Sequence, residues 1–259
     1  MVFTTLQGQS PKDNKNRILF GTYHERFTNT HGISFGIGSS NSDTPLFANT
    51  NGVKVALFGA GILVPLFPQN PIPKNEYEYT HRTNRNISER INGISLSTFG
   101  SVCHCVTTGI SVGLVGHLNY KINGLSTAVV MNYALKHNGL QMAFITGNYY
   151  MHGIQLGGFN KAQQAKGLQV GFWNNGNKMT GIQLGAFNSS QINKGVQIAL
   201  FNSNTNTIKG LQVAAFNDAK SVAGVQIGLI NSTQNLTGIQ IGLWNINSKR
   251  SLPFINWNF

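Results

Sequence analysis

Acidic side chains are scarce in this chain. It holds seven Asp and Glu among 259 residues, and after Glu89 only Asp218 follows. A hydrolase built on two carboxylates needs them close together, and only Glu76, Glu78 and Glu89 could supply such a pair. Charge of either sign makes up 10% of the residues, against a usual quarter, which leaves order to repeats and glycine-rich strands or to a membrane. Cysteine is confined to Cys103 and Cys105. With His104 between them they offer at most two useful ligands on one strand face, short of the four a structural zinc site takes. They read as two small strand residues, and a disulfide across i, i+2 is expected to be strained. His117, His137 and His152 stand singly and out of phase. The longest apolar run, Val55 to Phe67, is too short for a transmembrane helix and carries Pro65. The glycines precede no helix in phosphate-loop form, and no Ser-His-Asp motif is present. The expectation is a non-enzymatic protein with no cofactor and no metal.

What the chain has in abundance is repetition, which decides architecture before anything else. Seven units begin at Gly153, Gly167, Gly181, Gly195, Gly210, Gly224 and Gly238, spaced 14, 14, 14, 15, 14 and 14 residues apart. Counting each leading glycine as position 1, positions 2 and 4 are Ile, Leu or Val and position 5 is Gly or Ala. Position 3 is always glutamine: Gln155, Gln169, Gln183, Gln197, Gln212, Gln226 and Gln240. Position 8 is always asparagine: Asn160, Asn174, Asn188, Asn202, Asn217, Asn231 and Asn245. Position 7 is aromatic except at Ile230. Alternation over six or seven residues reads as a half-buried strand, and the polar remainder as a turn. One apolar residue precedes most leading glycines by two places (Ala165, Met179, Ile208, Val222, Leu236).

Two all-β architectures fit one strand per unit. In a parallel β-solenoid equivalent positions stack, and fixed Gln and Asn become structural ladders. In a closed antiparallel outer-membrane barrel of roughly 14 strands, nothing requires neighbouring strands to read alike. The apolar band at positions 2, 4 and 6 spans only about 13 Å, less than the roughly 25 Å of a membrane barrel. The solenoid is therefore preferred. Placing positions 2, 4 and 6 toward the core leaves the glutamine ladder exposed. The aromatics Phe159, Trp173, Phe187, Phe201, Phe216 and Trp244 then tuck into the core at the corner, with a stacking platform for sugars or bases as the alternative.

Residues 11–259 read as a single domain. Degenerate units fall at 32–64, including Gly52 to Gly59 continuing as an apolar strand through Ala60–Pro65. Residues 68–91 form a long loop, 93–245 the regular array and 252–259 a C-terminal cap strand. The first ten residues resemble the remnant of an export signal. Long loops on regular scaffolds often carry binding function, which singles out Tyr77, Tyr79, Arg82 and Arg85. The formal charge of +12 suits an anionic surface; scattered lysines also serve solubility.

The Gly-Ile/Leu/Val-Gln-Ile/Leu/Val-Gly-x-x-Asn unit and the ending Leu252-Pro-Phe-Ile-Asn-Trp-Asn-Phe259 resemble the bacterial surface-repeat proteins of leptospiral and Bacteroidetes type. The resemblance covers 93–259 well and 32–64 loosely. It implies export to the cell surface or outer membrane and a structural or adhesive role without catalytic residues. Envelope polysaccharide or lipopolysaccharide is the expected partner; neither nucleic acid nor a small-molecule substrate is. Alternatives are an outer-membrane pore, suggested by the alternating Ile255, Trp257 and Phe259, and a carbohydrate-binding module using the loop or the glutamine face.

Overall fold

The computed structural model describes residues 14–38, 45–66 and 71–259. The export-signal expectation for residues 1–10 lies outside them. The described chain winds into a β-solenoid of about 13 turns, with 75% of residues in strands. Short strands come first: β1 (Lys15–Thr22), β2 (Thr28–Gly36), β3 (Ala48–Ala56) and β4 (Glu89–Ser97). Then come β5 (Val102–Gly113), β6 (Gly116–Thr127), β7 (Met131–Met142) and β8 (Ile145–Leu156). From Phe159 the strand character runs nearly unbroken around the coils, as β9 (Phe159–Ile198) and β10 (Phe201–Ile246), before β11 (Ser251–Asn258).

Pairing is parallel and in register. Gly32 lies opposite Gly52, Gly93 opposite Gly109, Gly139 opposite Gly153, and Asn188 opposite Asn202. Parallel neighbours rule out the antiparallel barrel. Where a unit carries an extra residue the register absorbs it in a bulge, as between Asn204 and Thr207. The final pair alone reverses: β11 runs antiparallel to the last rung of β10, with Trp257 opposite Ile239 and Ile255 opposite Ile241. The tail thus closes the stack as a turned-back strand.

The leading glycine follows from this stacking. In the seven regular units φ at position 1 is 127–147°, a region closed to most side chains. A Cβ there would come within 1.9–2.1 Å of the previous coil's glycine carbonyl oxygen. Leu19 occupies the equivalent place in β1, opposite Gly32, at φ 70°. Among the described residues no earlier coil lies against it, so its side chain has room.

Three expectations fail locally. Residues 60–65 are not a strand: Ala60–Leu66 is a 3-10 segment. Pro65 cannot donate to a ladder, and Gly59 and Gly61 lie so close to the carbonyls of Gly100 and Gly116 that a Cβ would collide. The segment therefore packs across the coil edge. The stretch 68–91 is not simply a loop either, although residues 68–70 lie outside those described. It contains helix α1 (Glu76–Thr83), and β4 begins at Glu89. Asn75 caps the helix, its side chain accepting from the Glu78 amide at 2.9 Å, while Glu78 accepts from the Lys74 amide at 3.0 Å. Cys103 and Cys105 are also not separate thiols. They form a disulfide with Cα atoms 5.2 Å apart, at a register shift between Cys103 and Val106 that turns both side chains inward.

Candidate functional site

The sheet is turned the other way from the expectation. Positions 3, 8, 10 and 13 point inward, and positions 2, 4, 6 and 7 carry their apolar side chains outside. All seven glutamines from Gln155 to Gln240 are at most 1% exposed, and all seven asparagines from Asn160 to Asn245 at most 2%. The exposed glutamine face, and a carbohydrate site on it, are thereby excluded. The physical reason is that a buried primary amide is stable only when its donors and acceptor are satisfied, and stacking at one residue type per coil satisfies them.

Each glutamine donates from Nε2 to Oε1 of the glutamine one coil earlier, at 2.7–3.2 Å from Gln155→Gln141 through Gln240→Gln226. Asn256 of β11 ends this series by donating to Gln240 at 3.1 Å. The asparagines run the opposite way. Each donates from Nδ2 to Oδ1 of the asparagine one coil later, at 2.8–3.1 Å from Asn160→Asn174 through Asn231→Asn245. Its second N–H bonds the position-4 carbonyl of that next coil at 2.8–3.2 Å. The two amide chains donate in opposing senses, so their dipoles offset along the rod. A third inner column, Met151, Ala165, Met179, Ile208, Val222 and Leu236, supplies apolar packing, with Asn193 interrupting it.

Outside, the aromatics form a surface ladder rather than a core one. Phe159, Trp173, Phe201, Phe216 and Trp244 are 41–47% exposed. Phe187 stacks on Phe201 and Phe201 on Phe216, ring centroids 5.2 and 5.0 Å apart. Beyond positions 13 and 14 lies a different surface. A groove of about 520 Å³ crosses the coils, lined by Lys136, Tyr150, His152, Lys166, Lys178 and Lys194 among others. No acid lines it. His152 is held below its ordinary pKa by burial and by the charges of Lys166 and Lys136.

Helix α1 sits at one end of this groove. The Tyr79 ring stacks on Tyr149 at 4.4 Å and meets Tyr150 edge-on at 5.0 Å. Tyr149 and Tyr150 both donate to the Glu76 carboxylate, at 2.8 and 3.1 Å. Burial, then Tyr120, Tyr150 and Glu76 nearby, push the Tyr79 hydroxyl up to about 12. Burial first, then the bond to Glu76, also raises Tyr149 and Tyr150. Of the four residues singled out by sequence, Tyr79 thus reaches the groove's end and Tyr77 stands exposed beside it. Arg82 instead bonds the Pro71 carbonyl. Arg85 lies in a separate cleft with Phe47, Ser88 and Arg90. The groove lysines were missed because they are spread over coils 14 residues apart; only stacking brings them together.

The three candidate acids do not converge. Glu76 serves the tyrosines, Glu78 the helix cap, and Glu89 is buried in an ion pair with Lys54. Among the described residues no group of three or more His, Cys, Asp and Glu is placed to hold a metal. Among them, too, no helix is long and apolar enough to cross a membrane, which says nothing of strands. Comparisons with protein-family models, curated proteins and solved structures find no match.

Proposed function

We propose that this chain is a non-enzymatic repeat protein of the cell envelope, exported to the surface or outer membrane, whose structural or adhesive role rests on holding anionic envelope glycan. The resemblance to bacterial surface-repeat proteins supports the location. The single observation carrying the binding mode is the groove of Lys136, Lys166, Lys178 and Lys194, with no carboxylate among its lining residues. Lysines held on successive or alternate coils of a rigid rod, Lys166 and Lys194 being two strand spacings apart in one column, meet the repeating charges of a polysaccharide or lipopolysaccharide sugar. Flexible polyanions bind a preordered surface with less ordering cost on the protein's side. Helix α1, with Tyr77 and Tyr79, offers aromatic faces to sugar rings at the groove's end.

The test is binding of polygalacturonate against neutral dextran. Anionic polymer is expected to bind, the neutral one not, with affinity falling as salt is raised. The Lys166→Gln/Lys178→Gln/Lys194→Gln variant should lose roughly tenfold or more in affinity. Equal binding of both polymers, or a variant that binds as well as the parent, would overturn the reading.

A further inference from the structure

The apolar exterior is unexplained by a glycan groove. Positions 2 and 4 carry Ile, Leu, Val, Phe or Met on almost every coil, and none is charged. Position 6 adds Leu114, Val129, Phe144, Phe172, Leu200, Leu229 and Leu243, all 50–65% exposed. Position 7 adds the aromatic ladder, and β11 extends the lanes with Ile255 and Trp257. At about 4.8 Å per coil and 3.3 Å per residue, these adjoining lanes cover on the order of 60 by 15 Å. Soluble monomers seldom expose a contiguous apolar patch of more than a few hundred Å².

We infer that this face seats the rod flat on an anionic lipid surface, its apolar lanes at the boundary between headgroups and acyl chains. The proposal rests on the envelope reading and names what that envelope contact is. Charge decides the occupant. Position 14, which carries Lys166, Lys194 and Lys209, is separated from the position-2 lane by the leading glycine alone. These three lysines therefore flank the apolar lanes along one edge, in a column that also holds Thr180, Ala223 and Thr237. Beyond Glu89 the chain has eleven Lys and Arg against one Asp, Asp218. A second copy of this chain would cover the apolar area but has only that acid in its regular array to meet the lysines. An anionic bilayer covers the area and meets the charge, the combination by which amphipathic surfaces bind lipid. All three tryptophans, Trp173, Trp244 and Trp257, lie on these lanes at 45–48% exposure, and tryptophan favours the membrane interface.

The tryptophans make the test direct. The whole chain is mixed with vesicles of phosphatidylcholine and phosphatidylglycerol, plain or with brominated acyl chains. Expected are flotation with the vesicles, a blue shift of tryptophan emission, and quenching by the acyl bromines. Leu200→Glu/Leu229→Glu/Leu243→Glu, all on exposed positions, should cut flotation about tenfold or more while polygalacturonate binding stays. Should that variant fail to fold, quenching in the unaltered chain still decides. Failure to float would overturn the inference. So would flotation without quenching, or a soluble dimer that the triple variant returns to monomer. The lysine variant, which takes Lys166 and Lys194 from both the groove and the lane, should lose polygalacturonate binding and float more weakly, so the leucine variant is the one that separates the face from the groove.

Discussion

The N-terminal coils and the regular array solve one problem with unequal success. Both carry a polar residue at position 3, pointing inward. In the array that residue is glutamine, long enough to reach the next coil, and every ladder amide finds a partner. In the earlier coils it is Ser34, Lys54, Ser95, Ser111 and Ser126, all buried. Serine is too short to span the roughly 4.8 Å between coils, and Ser34 and Ser111 have buried hydroxyls without a hydrogen-bond partner. Lys54 instead needs Glu89, whose other carboxylate oxygen is itself unpartnered. His117 and His137 are buried there too, and the ring nitrogens of His137 find no partner. Among the described residues only Asn193 and Asn247 have comparable orphan atoms beyond Gly139. Side-chain reach, not strand pairing, separates the two regions.

The sharpest way to break the array is to spoil its closest approach. Gly195→Ala would force a Cβ to 2.0 Å from the Gly181 carbonyl oxygen at φ 143°. The expected loss is about 4 kcal/mol, read by urea unfolding. Next in size, Gln183→Leu leaves Gln169, Gln197 and Asn193 without their bonds to it, for a loss of about 3 kcal/mol. Ser111→Ala removes a hydroxyl with no partner and should change stability by less than about 1 kcal/mol. Equal losses at Gln183 and Ser111 would erase the contrast drawn above.

Acid should separate the regions as well. Burial holds His117 and His137 down at about 4, against 6.5 in the unfolded chain. Between those values the unfolded state binds more protons, so their contribution favours folding at pH 7 and fades as pH falls from 6.5 toward 4. Hydrogen exchange at pH 5 is expected to open coils around 117 and 137 before those between 181 and 245. The smallest effect belongs to Leu19, in the left-handed region with 66% exposure. Leu19→Gly should stabilise, by no more than about 1 kcal/mol in a thermal melt.

The period, the one-strand unit and the parallel stacking were legible because a fixed Gln and Asn have a use only where like meets like. The orientation of the sheet was not. Alternation defines two faces without saying which is inside, and hydrophobicity argues for the wrong one. The better signal lay in constancy: position 3 never departs from glutamine in the seven units, while position 14 ranges over Lys, Thr and Ala. A side chain bonded to its own kind in the interior tolerates no substitute, whereas a solvated one does. Asn75 followed by Glu78 was a readable helix start within the segment read as a loop. The disulfide at Cys103 depends on a bulge that spacing alone does not reveal. The basic groove needs the coil register before its lysines become neighbours.

Whether amides are inside and apolar side chains outside is best measured by thiol accessibility. Single Gln197→Cys and Ile198→Cys variants, adjacent on one strand, would be labelled with a maleimide on the folded chain, with Cys103 and Cys105 replaced by serine. Ile198 is 44% exposed and Gln197 fully buried. Fast labelling at 198, with 197 labelled only on unfolding, is the expected result. Fast labelling at 197 with protection at 198 would contradict an amide-filled interior.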